Sequence, residues 1–181
     1  MIYVFLADGF EETEAITPID CLRRAGHQVM TVGIGGKTVT GSHGIPVTAD
    51  LTEEAAALTD ALELIVLPGG MPGTLNLGHS STVQKAIRFC CEHGRKLAAI
   101  CAAPSVFGDL GLLKGHRAVC FPGFEEHLTG AEVGDEPVCV SGNFITSRGA
   151  GTAMDFGLKL VAELDGQETA DALAAKMVYF R

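Results

Sequence analysis

Basic residues are scarce: 13 Lys and Arg stand against 22 Asp and Glu in 181 residues, for a formal net charge of −9. They are scattered with no basic run, whereas binding to a phosphate backbone needs a positive patch. Nucleic acid is therefore not expected as a partner. No apolar run approaches the roughly 18 residues of a membrane span, so no membrane association is expected. The opening MIYVFLA is too short for the apolar stretch of a secretory signal and lacks a basic flank. It reads as a first strand, and the expected location is the cytoplasm. None of the cysteines, at 21, 90, 91, 101, 120 and 139, forms a CxxC pair. That sets aside zinc ribbons and thioredoxin-type redox pairs. The histidines at 27, 43, 79, 93, 116 and 127 are well separated, with neither HExxH nor a Cys/His cluster. No metal site and no cofactor is expected. GxSxG is missing, which removes a serine hydrolase elbow. PGGMPG lacks the spacing of a dinucleotide fingerprint and lies far from the first strand.

What is present reads as one globular domain over residues 1–181, with 47% apolar residues. The length suffices for a core without disulfides. Met1–Ala7 is an apolar run of the kind buried on both faces of a parallel sheet. Ala15, Ile16, Ile19 and Leu22 have helical spacing, with Gly26 as the stop. Pro18 should kink that helix or delay its start. Gln28–Ile34 is a second strand, followed by a Gly-rich excursion with two short extended pieces. Leu62–Leu67 is a third strand that runs into PGGMPG. Ser81–Gly94 is helical. Lys96–Ile100 is a buried strand leading into helical CAAPSVFGDLG. Arg117–Phe121 reads as a strand, and Val138–Val140 with Phe144–Ser147 as a hairpin about Ser141-Gly142-Asn143. A helix entered through SRGAGT has Thr152 as its candidate N-cap, and Gly166–Met177 is the last helix. Strands alternating with helices imply a mostly parallel sheet covered on both faces. Ligands of such sheets sit at the carboxyl ends of strands, where DGFEETE, PGGMPG and CAAP fall.

In KLAAICAAP a buried strand stops at Cys101, and small residues follow before a helix. Ala99, Ala102 and Ala103 permit the tight backbone of a nucleophile elbow. A buried cysteine is ordinarily a small hydrophobe. An elbow exposes the thiol at the sheet rim beside a helix N-terminus, which favours thiolate. Gly69 and Gly70 can turn their N–H groups toward an anion. Beside Cys101, the N–H groups of Gly70 and Ala102 would form an oxyanion hole. EETE places carboxylates at a helix start, where they suit the dipole. Glu14 directly precedes the apolar Ala15-Ile16, so partial burial would raise its pKa. Next to Cys101 it could hydrogen-bond the thiolate or act as general acid and base.

The combination DGFEETEAITPID, IVLPGG, AAICAAP and TSRGAGTAMDFGL resembles the ThiJ/PfpI superfamily, across essentially the whole chain and in the same order. Within it the sequence is most similar to the branch of the Parkinson's-disease-associated deglycase and its bacterial relatives. The resemblance implies a flavodoxin-like three-layer α/β sandwich and a homodimer. It implies Cys101 as the reactive cysteine, Glu14 as its acidic hydrogen-bonding partner, and Gly70 and Ala102 as backbone oxyanion donors. Glu11 would line the pocket, and His43 would reach a partner's site. In the peptidase branch a histidine follows the nucleophile; here that position is Ala102, so a protease is not expected. Human-like members carry a histidine near the cysteine where this chain has Phe121, so acid/base duty falls to Glu14.

Two functions follow from that resemblance. One is a stress-response enzyme acting on small dicarbonyls or glycated substrates, as a glutathione-independent glyoxalase or protein deglycase. The other is a redox sensor or chaperone whose Cys101 oxidises with little turnover. An older family label, thiazole monophosphate synthesis, ranks lower. Amidotransferase chemistry needs a late His-x-Glu pair, and no histidine follows Gly151.

Overall fold

The computed structural model describes residues 1–180. In chain order the elements are β1 (Ile2–Ala7), α1 (Glu12–Arg24), β2 (Val29–Ile34), β3 (Thr38–Thr40), β4 (Pro46–Thr48), β5 (Leu51–Thr52), β6 (Leu64–Leu67), α2 (Gly73–His79), α3 (Ser81–Glu92), β7 (Lys96–Ile100), α4 (Pro104–Asp109), β8 (Arg117–Ala118), β9 (Glu132–Val133), β10 (Val138–Ser141), β11 (Phe144–Ser147), α5 (Ala153–Asp165) and α6 (Gln167–Lys176).

β1 is apolar at every position because both its faces are covered. Ile2, Val4 and Leu6 pack into one core with residues of α1, α5 and α6, among them Leu22, Phe156 and Leu173. Tyr3, Phe5 and Ala7 alternate into the other core, with Val83 and Ile87 of α3 and Phe107 of α4. The result is a helix–sheet–helix sandwich. The seven-stranded sheet runs β10-β11-β7-β6-β1-β2-β5, and only β10 is antiparallel to its neighbour. Its long parallel strands follow the flavodoxin-like order, with the direction of winding reversing between β1 and β6. The carboxyl ends of β1, β6 and β7 therefore meet at one rim.

Several elements differ from the sequence expectation. α1 does not start late: it begins at Glu12, and Pro18 lies inside it. Pro18 has no N–H for the carbonyl one turn earlier, but packing supports the turn. A Cβ on Gly157 of α5 would lie 3.2 Å from the Pro18 Cα and 2.8 Å from the Cys21 Sγ. Residues 117–121 form a strand only at Arg117–Ala118, paired with β9 outside the main sheet. Beyond it, the Val119 N–H bonds the Thr146 hydroxyl at 3.0 Å and the Phe121 N–H bonds the Cys101 carbonyl at 2.8 Å. The chain there follows the elbow instead of a ladder. Thr152 precedes α5 without capping it through its side chain. α2 begins at the last glycine of PGGMPG and covers residues to which the sequence reading assigned no element.

Candidate active site

Three glycines bring the β1 and β6 loops into backbone contact. Gly9 and Gly70 have φ of 85° and 88°, a conformation suited to glycine. A Cβ on Gly70 would meet the Glu11 nitrogen and the Gly9 oxygen within 2.5 Å, and one on Gly73 would lie 2.6 Å from the Phe10 nitrogen. The Glu11 N–H donates to the Gly69 carbonyl at 2.9 Å and closes the joint. Glu11 then caps α1, its carboxylate accepting the Glu14 N–H at 2.6 Å. That cap aims Glu14 back toward the rim.

Cys101 follows β7 directly, in a left-handed conformation with φ 66°. For a residue with a side chain this costs roughly 1–2 kcal/mol. The surroundings impose it: the Cys101 N–H donates to the Ser147 carbonyl of β11 at 2.9 Å, and its carbonyl accepts from Phe121. Cys21, Cys90, Cys120 and Cys139 are buried and Cys91 is exposed, whereas Cys101 is half-buried. The Gly70 and Ala102 N–H groups bond its sulfur, as does the Glu14 carboxyl. Gly69 makes room, since a Cβ there would lie 2.5 Å from Glu14 Oε2 and 2.6 Å from the Cys101 Cβ.

Glu14 is only 1% exposed. Its Oε2 accepts the Gly69 N–H at 3.0 Å, and its carboxylate also accepts from Ala150. Burial foremost, with the charge of Glu11 adding to it, pushes Glu14 up to about 7, against the pull of the Cys101, Gly69 and Ala150 hydrogen bonds. The thiol behaves differently from the helix-terminus expectation. Burial, then the neighbouring Glu14 charge, pushes Cys101 up to about 12, and the Ala102 and Gly70 N–H groups only partly offset this. α4 is short and begins at Pro104, beyond the sulfur. Near neutrality Glu14 is thus about half-protonated while the thiol keeps its proton, and forming thiolate requires an ionised Glu14 to take that proton.

The structure brings Cys101, Glu14, Gly69, Gly70 and Ala102 to one point, with Glu11 behind them as cap. Phe121 is 46% exposed at the lip, where a Cβ on Gly149 would lie 3.3 Å from its ring. His127 instead lies 3.2 Å from Asp109. The His43 Nδ1 lies 2.8 Å from Glu12 Oε2. Glu11, Glu12 and His43 form a group of the metal-ligand type. Glu12 is otherwise occupied by the His43 and Ile45 N–H groups, at 2.8 and 3.4 Å. Two contributors were not read from the sequence: the Ser147 carbonyl and the Ala150 N–H. Both lie in TSRGAGT, a motif whose function is carried by its backbone and which therefore reads as a helix approach.

Fold and site together define a flavodoxin-like α/β protein with a cysteine at a nucleophile elbow, opposite a buried carboxyl. The chain belongs to the DJ-1/PfpI family, whose model matches residues 1–163. It is 40% identical over 174 residues to protein dj-1beta of Drosophila melanogaster, covering 94% of this chain and 92% of that one. A protein named a deglycase from Pyrococcus abyssi is 33% identical over 150 residues, covering 81% and 89%. Among solved structures, oxidized Toxoplasma gondii DJ-1 superposes with a TM-score of 0.94 at 35% identity, covering 99% of this chain and 98% of that chain.

Proposed function

We propose that this chain is a cysteine-dependent stress-response enzyme acting on reactive dicarbonyls, of the glutathione-independent glyoxalase or protein-deglycase type. The observation that carries the reading is the buried Glu14 carboxyl bonded to the Cys101 sulfur. The Pyrococcus relative named a deglycase supports it. Glu14 takes the thiol proton, and the thiolate adds to the aldehyde carbon of methylglyoxal to form a hemithioacetal. The Gly70 and Ala102 N–H groups stabilise the oxyanion, which is then protonated. Glu14 carries a proton from C1 to C2 through an enediol, giving a thioester. Water cleaves the thioester, releasing lactate and restoring the thiol. The test is lactate formation from methylglyoxal without glutathione. Turnover in wild type that is lost in Cys101→Ser is expected; a wild type giving no lactate above buffer would overturn the reading.

A second reading has its own observation. The Gly70 and Ala102 N–H groups and the Glu14 acid converge on the sulfur, and would equally hold sulfinate oxygens. The Toxoplasma relative was solved in an oxidized form. Mild peroxide should then oxidise Cys101 ahead of Cys90 and Cys139 by mass spectrometry, and equal oxidation of the three would remove this reading. A homodimer belongs to both readings; Ile16, 43% exposed on α1, is consistent with an interface.

A further inference from the structure

The turn between β11 and α5 touches both members of the reactive pair. Its start, Ser147, accepts the Cys101 backbone N–H, and its Ala150 N–H bonds the Glu14 carboxylate. The turn itself is tied by one side chain. The Thr152 hydroxyl lies 2.9 Å from the Gly149 carbonyl, to which it donates, and accepts the Gly149 N–H at 3.2 Å. It is also 2.7 Å from the Ser147 hydroxyl, which lies 2.8 Å from the Pro137 carbonyl. Ser147 is fully buried, so this hydroxyl pair is held from below by the sheet. The Thr152 N–H bonds the Gly149 carbonyl at 2.8 Å. Thr152 is therefore free of the capping work its position suggests and folds residues 149–152 back on themselves.

We propose that Thr152 is a positioning residue, which holds the 148–150 turn so that the Ala150 N–H reaches the Glu14 carboxylate. This rests on the reading of Cys101 and Glu14 as the reacting pair. The groups facing Glu14 are few. Glu11 faces it from the start of α1, Cys101 from the elbow, and the Gly69 and Ala150 N–H groups from their turns. Arg148 reaches away to the Asp135 carbonyl at 3.0 Å. His43 is held by Glu12, its Nδ1 4.0 Å from Glu11.

An N–H donated to a carboxylate favours its charged form. Without the Ala150 donor, Glu14 binds its proton more tightly, with two linked consequences. The pH at which the pair loses its first proton rises. Within the one-proton pair the proton sits more often on Glu14, so the thiolate share grows. A purely structural loss would lower the folded fraction without moving the titration.

The experiment is the rate of Cys101 alkylation by iodoacetamide across the neutral range, read on the Cys101 peptide by mass spectrometry. In Thr152→Val the midpoint is expected to move up by about one pH unit and the high-pH plateau to rise by about tenfold. Thr152→Ser keeps the hydroxyl and should return both to wild type. A folded Thr152→Val with the wild-type midpoint overturns the proposal, as does Thr152→Ser behaving like Thr152→Val. If Thr152→Val does not fold, Ser147→Ala removes the hydroxyl partner and should shift the midpoint in the same direction; no shift there overturns the proposal. A wild type with no inflection near neutrality also overturns it, while dicarbonyl turnover is judged by its own lactate assay.

Discussion

At the scale of single residues, the chemistry depends on where one proton sits. Glu14 is raised to about 7 mainly by burial, so Cys101 alkylation in wild type should accelerate as pH rises through that value. In Glu14→Gln the inflection should disappear, leaving the thiol to titrate alone; an inflection retained near neutrality would assign it to another group. Gly69→Ala should cost the site about a hundredfold or more in alkylation rate. Its Cβ would lie 2.6 Å from the Cys101 Cβ and 2.5 Å from Glu14 Oε2, and small misplacements of reacting groups carry penalties of that order. The burial of Glu14 was legible in the sequence, because it directly precedes Ala15, which is itself buried. The sequence did not show the sign of the thiol's shift. A nearby helix start argues for a lowered value, whereas burial and a facing carboxylate argue for a raised one. Only the three-dimensional placement of Glu14 decides between them.

At the scale of elements, buried contacts override local signals. Pro18 reads as a kink or a late start, yet α1 begins at Glu12 and continues through it, packed against Gly157 of α5. Gly157→Val should separate the two helices and cost about 1–3 kcal/mol, checked by urea unfolding; an unchanged midpoint would mean the crossing is loose. The buried strands β1 and β7 and the β10–β11 hairpin were legible because unbroken apolar runs and turn residues report them directly. α2 and the bend after Ala118 were not, since the groups that hold them, such as the Thr146 hydroxyl and the Cys101 carbonyl for the bend, lie far away in the sequence. The β3–β4 hairpin shows the same dependence. Burial opposes ionisation of Glu12, but hydrogen bonds from the His43 side chain and from nearby backbone N–H groups win and lower it to about 2. Its carboxylate therefore remains charged at neutral pH and ties down residues 41–45. Glu12→Ala should free that tip, giving faster proteolytic cleavage within it while the core stays folded.

At the scale of the whole molecule, the buried acid makes stability depend on pH. The folded form holds the Glu14 proton up to about 7, against an ordinary 4.5. Between those values it binds more protons than the unfolded chain, so stability falls as pH rises, by ~3 kcal/mol across the window. The contribution is fully present below 4.5 and is lost above about 7. Urea midpoints measured across this window should decline in wild type and stay flatter in Glu14→Gln; parallel slopes would place the titrating group elsewhere. No helix among the described residues is long and apolar enough to cross a membrane. The site, meanwhile, is assembled from the ends of β1, β6, β7 and β11, whose Ser147 and Ala150 come late in the chain. While the polypeptide is being synthesised, Cys101 leaves the ribosome well before those residues do. Until they arrive it is an ordinary thiol with neither its strained backbone nor its complete set of partners. The geometry of the site is thus completed only late in folding, after residues 147–150 have been synthesised.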